Sequence, residues 1–310
     1  MRLASVAPVD GTRYIAIVDE VESPDSASLT VRPLHGFSAA NTPVRNVGEL
    51  LAIPGWREHL NEALIDVGDP VIISKHDLDA VVPWPGKIIC QGLNYAEHIL
   101  EMGRELPEYP TLFTKYPEAL ARPFADVTVP ADKAAQLDFE GELAVIIGDY
   151  ASEVSPADAN DYIAGYAVFN DYTLRDAQRR TPQWHQGKSF RSTSGFGPWL
   201  TTPDEFDVSC ASLRTHLDES LMQNAPLADQ VFPPAELISF ISHIYPLRPG
   251  DVIATGTPDG VGFARSPQRF IRDGETVTVT IDGLGSIANT TRITANTTRI
   301  TANTTRSTGA

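Results

Sequence analysis

The chain has 310 residues, room for one large domain or two, and its 42% hydrophobic and 21% charged content is that of a soluble globular protein. Against 24 lysines and arginines stand 40 aspartates and glutamates, a formal net charge of −16. That balance leaves no basic patch for nucleic-acid phosphates or an anionic membrane surface, so neither is expected as a partner. It also means that any anionic ligand must be held by a local cation.

Residues 1–8 carry no apolar core of the signal-peptide kind, and no stretch reaches the length of a membrane span. Cys90 and Cys210 lie far apart without metal-type pairing and read as free thiols of a reducing cytoplasm. Residues 1–82 are expected to form a small N-terminal domain. In it 14–18 and 28–31 read as strands and 46–52 and 56–64 as helices, with Trp56, Leu60 and Leu64 on one face at a spacing of four. The turn Pro83-Trp84-Pro85-Gly86 marks its end.

From Lys87 a short strand turns at Gly92 and enters a helix near Tyr95. His98 and Glu101, three apart, share a helix face, where a carboxylate can fix the imidazole tautomer for general-base work. A surface pair would have the same spacing. The proline-rich stretch 107–130 predicts an extended, loop-rich path, along which Lys115 and Arg122 face either an anionic ligand or solvent.

The stretch 137–148 organises the rest. Residues 143–147 are a continuous apolar run, a buried strand closed by Gly148. Strand geometry carried back to Asp138 would put Asp138, Glu140 and Glu142 on one face. Three carboxylates entering a buried strand repel one another unless a cation sits among them, and Mg²⁺ or Mn²⁺ is the hard ion that carboxylate oxygens prefer. A solvated acidic strand end is the alternative that spacing leaves open. A second apolar strand, 163–169, follows a short helix over 156–162 and ends at Asn170-Asp171, where Asp171 either joins Glu140 and Glu142 or marks a turn.

Arg175, Asp176 and Gln178 continue on a helical segment with Arg179 and Arg180. Gly187-Lys188-Ser189 is not a phosphate-binding loop, because Pro182 occupies the required upstream glycine position. A helix is predicted over 234–244. Residues 247–262 then read as a strand running into a glycine-rich turn whose four glycines imply close backbone approach. Residues 274–289 read as a hairpin turning at Asp282-Gly283. The segment 288–294 recurs at 295–301 and in part at 302–306, and its polar composition predicts a strand end trailing into a disordered tail over 290–310.

Six markers recur in order: Gly92-x-Asn94-Tyr95-x-x-His98; Asp138-x-Glu140-x-Glu142-Leu143-Ala144-Val145; Gly165-Tyr166-x-Val168-Phe169-Asn170-Asp171; Arg175-Asp176-x-Gln178; Gly187-Lys188-Ser189-Phe190 with Gly197-Pro198; and the run Pro249 to Gly262. Each is weak alone, but together they make the stretch from Gly86 to Asn289 resemble the fumarylacetoacetate hydrolase superfamily. The resemblance implies a β-rich α/β fold, with a mixed β-sandwich/barrel catalytic domain over 83–289 behind the small N-terminal α+β domain, usually as a homodimer. It implies that Glu140, Glu142 and Asp171 hold Mg²⁺, or Mn²⁺ or Ca²⁺. It further implies that His98 and Glu101 form a water-activating dyad on a short lid helix, that Lys188 stabilises developing negative charge, and that Arg175, Gln178 and Thr257 hold the substrate.

The implied chemistry is hydrolysis of the carbon–carbon bond in a 2,4-dioxo acid, a fumarylpyruvate-like acylpyruvate, to pyruvate and a carboxylic acid. His98 would take a proton from the water that attacks the 4-carbonyl, Lys188 would face the oxyanion, and the metal would accept the charge of the departing enolate. The same scaffold runs isomerisation and decarboxylation of hydroxyheptadienedioate-type intermediates of aromatic catabolism, and decarboxylation or dehydration of 2-oxo acids, and the ligand set does not separate these. A metal-binding module without turnover would instead hold His98, Glu101 and Lys188 far from the carboxylates. Two positions depart from the family: Arg191 stands where an Asp commonly follows Gly187-Lys188-Ser189-Phe190, and the repeated tail after Asn289 fits no family pattern.

Overall fold

A computed structural model describes residues 1–19, 26–34, 38–39, 42–96 and 105–295. His98 and Glu101, and the tail beyond residue 295, lie outside the described residues. The fold is β-rich α/β, built on an eleven-stranded sheet and a five-stranded one.

The strand Gly141–Ile147 is the centre of the large sheet. It pairs antiparallel with Ile163–Asn170 on one side and with Val252–Ala254 on the other. All seven of its residues are buried, because both faces of the sheet are covered. Leu143, Val145 and Ile147 face a core shared with Leu213, Val277, Val279 and Ile287 of the five-stranded sheet. Ala144 and Ile146 face the opposite core, with Val47, Leu50, Trp56 and Leu60 from the helices Val47–Leu51 and Trp56–Ala63. The unbroken apolar run of the sequence is therefore two alternating faces, each packed. Asn46 caps the first of these helices by accepting from Glu49 N at 3.0 Å, and Trp56 of the second donates to Gly148 O at 2.9 Å.

Next to Val252–Ala254 the strand Ile88–Gly92 runs parallel, followed by antiparallel Thr111–Lys115. The chain then turns through Pro117–Ala119 and pairs Leu120–Ala121 with the beginning of Ser194–Thr201, which returns this half of the sheet to the neighbour of Ile163–Asn170. That return brings Lys115 into the interior beside Ser194. The N-terminal strands extend the same sheet: Arg2–Val6 pairs with Ser194–Thr201, and Tyr14–Val18, Ser28–Pro33 and Val71–Ser74 follow outward.

Two sequence expectations change here. The strand does not run straight from Asp138 into Glu142: Leu137–Asp138 belongs to a separate two-stranded ribbon with Thr173–Leu174, and Phe139 and Glu140 lie between the two strands. The last strand does not stop at Asn289 either. Gly285–Thr294 continues through the first copy of the repeat because Val127–Pro130 pairs with it in parallel, Val127 opposite Thr291 and Pro130 opposite Thr294. No helix of the described residues is long and apolar enough to cross a membrane.

Candidate active site

Glu140, Glu142 and Asp171 converge where the two central strands end. One carboxylate oxygen from each lies within 4.8 Å of the others, and all three residues are buried. The register explains the convergence. Gly141 lies opposite Asn170, so Glu140 and Asp171 sit at adjoining strand ends, joined by Asp171 N donating to Glu140 O at 2.8 Å. Asn170 Oδ1 accepts from Glu140 N at 3.0 Å and fixes the backbone between them. Gly256 N donates to Glu142 Oε2 at 2.9 Å. Gly256 has φ +94° and no room for a Cβ, which would stand 2.9 Å from Gln91 O, so this close approach requires glycine.

Asp138 turns away from the triad. Its Oδ1 accepts from Gly262 N at 2.8 Å, and its Oδ2 accepts from Phe263 N at 3.0 Å and from Arg175 Nε at 2.8 Å. It anchors the glycine-rich turn and the arginine and supplies no oxygen to the cage.

Three buried cations surround the carboxylates. Lys188 Nζ bridges Glu140 Oε2 at 2.5 Å and Asp171 Oδ2 at 2.8 Å. Arg175 places Nη1 2.7 Å from Glu140 Oε1 and also donates to Gln178 Oε1 at 3.2 Å. Lys115, only 2% exposed, donates to Ser194 Oγ at 2.7 Å and lies 2.6 Å from Asp171 Oδ1. That last contact is an ion pair without hydrogen-bond alignment, and Asp171 Oδ1 has no hydrogen-bond partner among the described residues.

The electrostatics divide the two glutamates. Burial alone would raise Glu140, but Lys188 and Arg175 overcome it and hold its carboxyl at about 2. Burial raises Glu142 well above the usual carboxylate range, and the charges of Asp171 and Glu140 push the same way. Burial works against the charged form of Lys188 as well, yet Asp171 and Glu140 prevail and raise it above an ordinary lysine. The cage thus contains one carboxylate held ionised by its cations, one pushed toward its protonated form, and an Asp171 oxygen without a hydrogen bond among the described residues.

The cage opens into a cavity of about 320 Å³. Glu140, Glu142, Lys188 and Gln91 line its inner part; Gln178 and Thr257 join the wall, as do the apolar Phe113, Trp184, Val261 and Phe263. Thr257 Oγ1 accepts from Gln223 Nε2 at 2.8 Å, and the same amide group reaches Pro258 O at 2.9 Å, so Gln223 fixes the loop that presents Thr257. Asn94 is saturated: its amide donates to Thr255 O at 2.7 Å and Phe232 O at 3.0 Å and accepts from Phe232 N at 2.7 Å.

Of the residues expected from sequence, the structure brings together Glu140, Glu142, Asp171, Lys188, Arg175, Gln178 and Thr257. Arg191 is exposed and borders a different depression, with Arg13, Asp79 and Trp84. Lys115, which the sequence left between an anionic ligand and solvent, faces the carboxylate of Asp171. Gln223 is the residue sequence reasoning missed, and no signal for it was available.

A mixed-sheet fold carrying a buried Glu/Glu/Asp cluster beside a cation-flanked cavity presents a candidate acidic metal site. The chain belongs to the fumarylacetoacetate hydrolase superfamily: residues 87–292 match the family model described as fumarylacetoacetate (FAA) hydrolase C-terminal. It is 39% identical over 221 residues to oxaloacetate tautomerase YisK of Bacillus subtilis, covering 70% of this chain and 73% of that protein. Among solved structures it is similar to fumarylacetoacetate hydrolase from psychrophilic Exiguobacterium antarcticum, with a TM-score of 0.80 and 29% identity over 95% of this chain and 100% of that one. It is also similar to maleylpyruvate hydrolase from Sphingobium sp. SYK-6 in complex with manganese(II) and pyruvate, with a TM-score of 0.72 and 28% identity over 94% and 99% of the two chains.

Proposed function

We propose that the protein is a divalent-metal-dependent hydrolase that cleaves the carbon–carbon bond of an acylpyruvate-type 2,4-dioxo acid, giving pyruvate and a carboxylic acid. One observation carries this reading: in a chain of net charge −16, three carboxylates converge within 4.8 Å at the floor of a cavity whose walls bring Lys188, Arg175 and Arg179. The donor set fits a hard divalent cation, since it is all oxygen, leaves Asp171 Oδ1 without a hydrogen bond, and holds Glu142 in a form that a nearby cation would ionise. Glu140, Glu142 and Asp171 would hold Mg²⁺ or Mn²⁺, which when bound supplies Lewis acidity toward the oxygens of a 2-oxo acid.

The chain's own residues supply the rest. Lys188 is kept cationic by its two carboxylate partners and offers a fixed charge beside the oxygen on which negative charge develops. Thr257 and Gln178 offer hydrogen bonds along the wall, and Phe113, Trp184 and Phe263 keep water from the reacting carbons. In this reading His98, with Glu101 to fix its tautomer, would take the proton of the attacking water; both lie outside the described residues. Val261 and Phe263 line the same cavity as the carboxylates and give it an apolar surface suited to an acyl group.

A second reading, keto–enol isomerisation of a 2-oxo diacid, is favoured by the 39% identity to a protein named as an oxaloacetate tautomerase. It would use the same cage and proton-moving pair without water attack. The manganese-loaded protein, given acylpyruvates, is followed by loss of enol absorbance and by coupled pyruvate formation. Hydrolysis requires one pyruvate per enol consumed. Enol loss without pyruvate selects the isomerase, and neither signal rejects both. His98→Ala should keep the metal and lose roughly a hundredfold or more in turnover, the usual contribution of a general base; turnover that survives unchanged removes the water-activating role.

A further inference from the structure

A second cavity, of about 170 Å³, shares no residue with the one beside the carboxylate cage. It lies where the N-terminal strands meet the rest of the chain. Arg2 opens Arg2–Val6, Leu29 belongs to Ser28–Pro33 and Lys75 follows Val71–Ser74; across from them are Trp199 of Ser194–Thr201 and Gly285 at the last hairpin turn. That turn closes tightly on the indole: Gly285 has φ +98°, and a Cβ there would stand 2.9 Å from Trp199 Cζ2. Trp199 is only 5% exposed, yet its Nε1–H has no acceptor among the described residues, and Arg2 Nε is buried without one as well. Buried donors left unpaired cost stability, so folded proteins keep few of them, and here two belong to residues of one cavity. Lys75 Nζ lies 5.1 Å from the centroid of the Phe124 ring, and no ion pair engages Lys75 or Arg2 among the described residues. In a chain with 40 acidic residues, no carboxylate lines this cavity among the described residues, and its two charged side chains are both cations.

We propose that this cavity is a second ligand site, which binds a small organic acid carrying one carboxylate on an aromatic or compact apolar body. Arg2 and Lys75 supply the charge that the carboxylate needs, and the Trp199 indole supplies a donor that nothing else uses. Phe124, Leu29 and Pro198 give the body an apolar wall, which a bare inorganic anion would leave unused. The volume is comparable to the roughly 150 Å³ apolar cavity that accommodates benzene. A ligand here touches the N-terminal strands, the strand Ser194–Thr201 and the hairpin turn at once, so its binding stabilises the whole chain. Since the two cavities have no residue in common, the site is independent of whichever reaction the carboxylate cage supports.

The test is a calorimetric titration of the metal-free full chain with benzoate, which has charge and ring, benzamide, the ring alone, acetate, the charge alone, and inorganic phosphate. Benzoate should bind roughly ten- to a hundredfold more tightly than benzamide, the range of a hydrogen bond to a charged group, and about tenfold or more tighter than acetate or phosphate. Arg2→Met and Lys75→Met should each weaken benzoate by about tenfold or more. Trp199→Phe, which keeps a ring and removes the donor, should weaken it about two- to tenfold. The chain has four tryptophans, so the indole N–H resonance that vanishes in Trp199→Phe identifies Trp199 in the wild-type nitrogen–proton spectrum, and that resonance should move when benzoate is added. Benzoate affinity unchanged in Arg2→Met or in Lys75→Met, or a Trp199 resonance that stays in place, would put the acid elsewhere and overturn the site. Benzamide or phosphate binding as tightly as benzoate would overturn the assignment to an organic acid.

Discussion

The floor of the cavity and its rim contain similar residues in opposite states. At the floor, Lys115 and Lys188 are each 2% exposed, and every cation is paired with a carboxylate of the protein. At the rim, Arg179 is exposed, stacked on Phe263, and unpaired among the described residues. The difference is one of dielectric. A buried charge must be neutralised by the protein itself, because desolvation costs several kcal/mol per ion, whereas an exposed one can wait for a ligand. The floor is therefore a cluster whose cations are all paired while Glu142 favours its protonated form, and the rim carries a cation with no protein anion among the described residues.

The strongest test of that contrast removes floor carboxylates one at a time. Glu140→Ala should lose metal binding and activity together, and should also destabilise the fold by about 3–5 kcal/mol, since it strands Lys188 and Arg175. Glu142→Gln should separate the two effects. Glu142 already favours its protonated form, so an amide of the same shape should leave the melting temperature of the metal-free protein unchanged or raised while abolishing the stabilisation that Mn²⁺ confers. Calorimetric melts with and without Mn²⁺ measure both. Equal Mn²⁺-induced shifts in wild type and Glu142→Gln would remove Glu142 from the cage.

Lys115→Met is expected to rank next. It leaves Asp171 with Lys188 alone, so the metal-free protein should lose up to about 3–5 kcal/mol, less to the extent that Lys188 compensates. A bound divalent ion would restore the missing charge. The rise in melting temperature on adding Mn²⁺ should accordingly be larger in Lys115→Met than in wild type; an equal or smaller rise would mean that Lys115 balances something other than the cage.

How much of this was legible follows the same division. Glu140, Glu142 and Asp171 could be picked from sequence because each adjoins an apolar run whose strand character is local. That Asp138 parts company with them could not, since the break at Phe139 and Glu140 comes from Thr173–Leu174 capturing Leu137–Asp138 in a ribbon of its own. Whether Lys115 faced an anion or solvent could not be decided, because its partners, Asp171 and Ser194, lie 56 and 79 positions away. Residues 291–294 looked like tail because the strand that pairs with them, Val127–Pro130, is remote in the chain. Periodicity reports which residues are buried; it does not report against what.

Protonation gives a smaller effect. Glu142 is raised by burial and by its acidic neighbours, so the metal-free folded state binds more protons than the unfolded state between the ordinary glutamate value of 4.5 and the raised one. Its contribution to stability is complete below that ordinary value and is lost as the pH rises through the raised one. Metal uptake must expel the proton, and affinity for Mn²⁺ should climb with pH across the same window. Titrations in buffers of different ionisation enthalpy should show proton release in wild type and none from this site in Glu142→Gln. Glu140 works in the other sense: held at about 2 by Lys188 and Arg175 despite its burial, it contributes stability above the ordinary value that is lost only as the pH falls toward 2.

The smallest expected effect is the one that isolates the rim. Arg179 and Arg180 are adjacent, exposed and identical in chemistry, and differ only in what they touch. The Arg180–Asp176 pair is a surface helix contact worth about 0.3–0.5 kcal/mol, and Arg180 does not line the cavity. Arg180→Ala should therefore shift the melting temperature by about a degree or less. Calorimetric melts check this, and a loss of several degrees would show that the Arg180–Asp176 pair contributes more than an ordinary surface contact, because Arg179, exposed beside it, has no ion pair among the described residues.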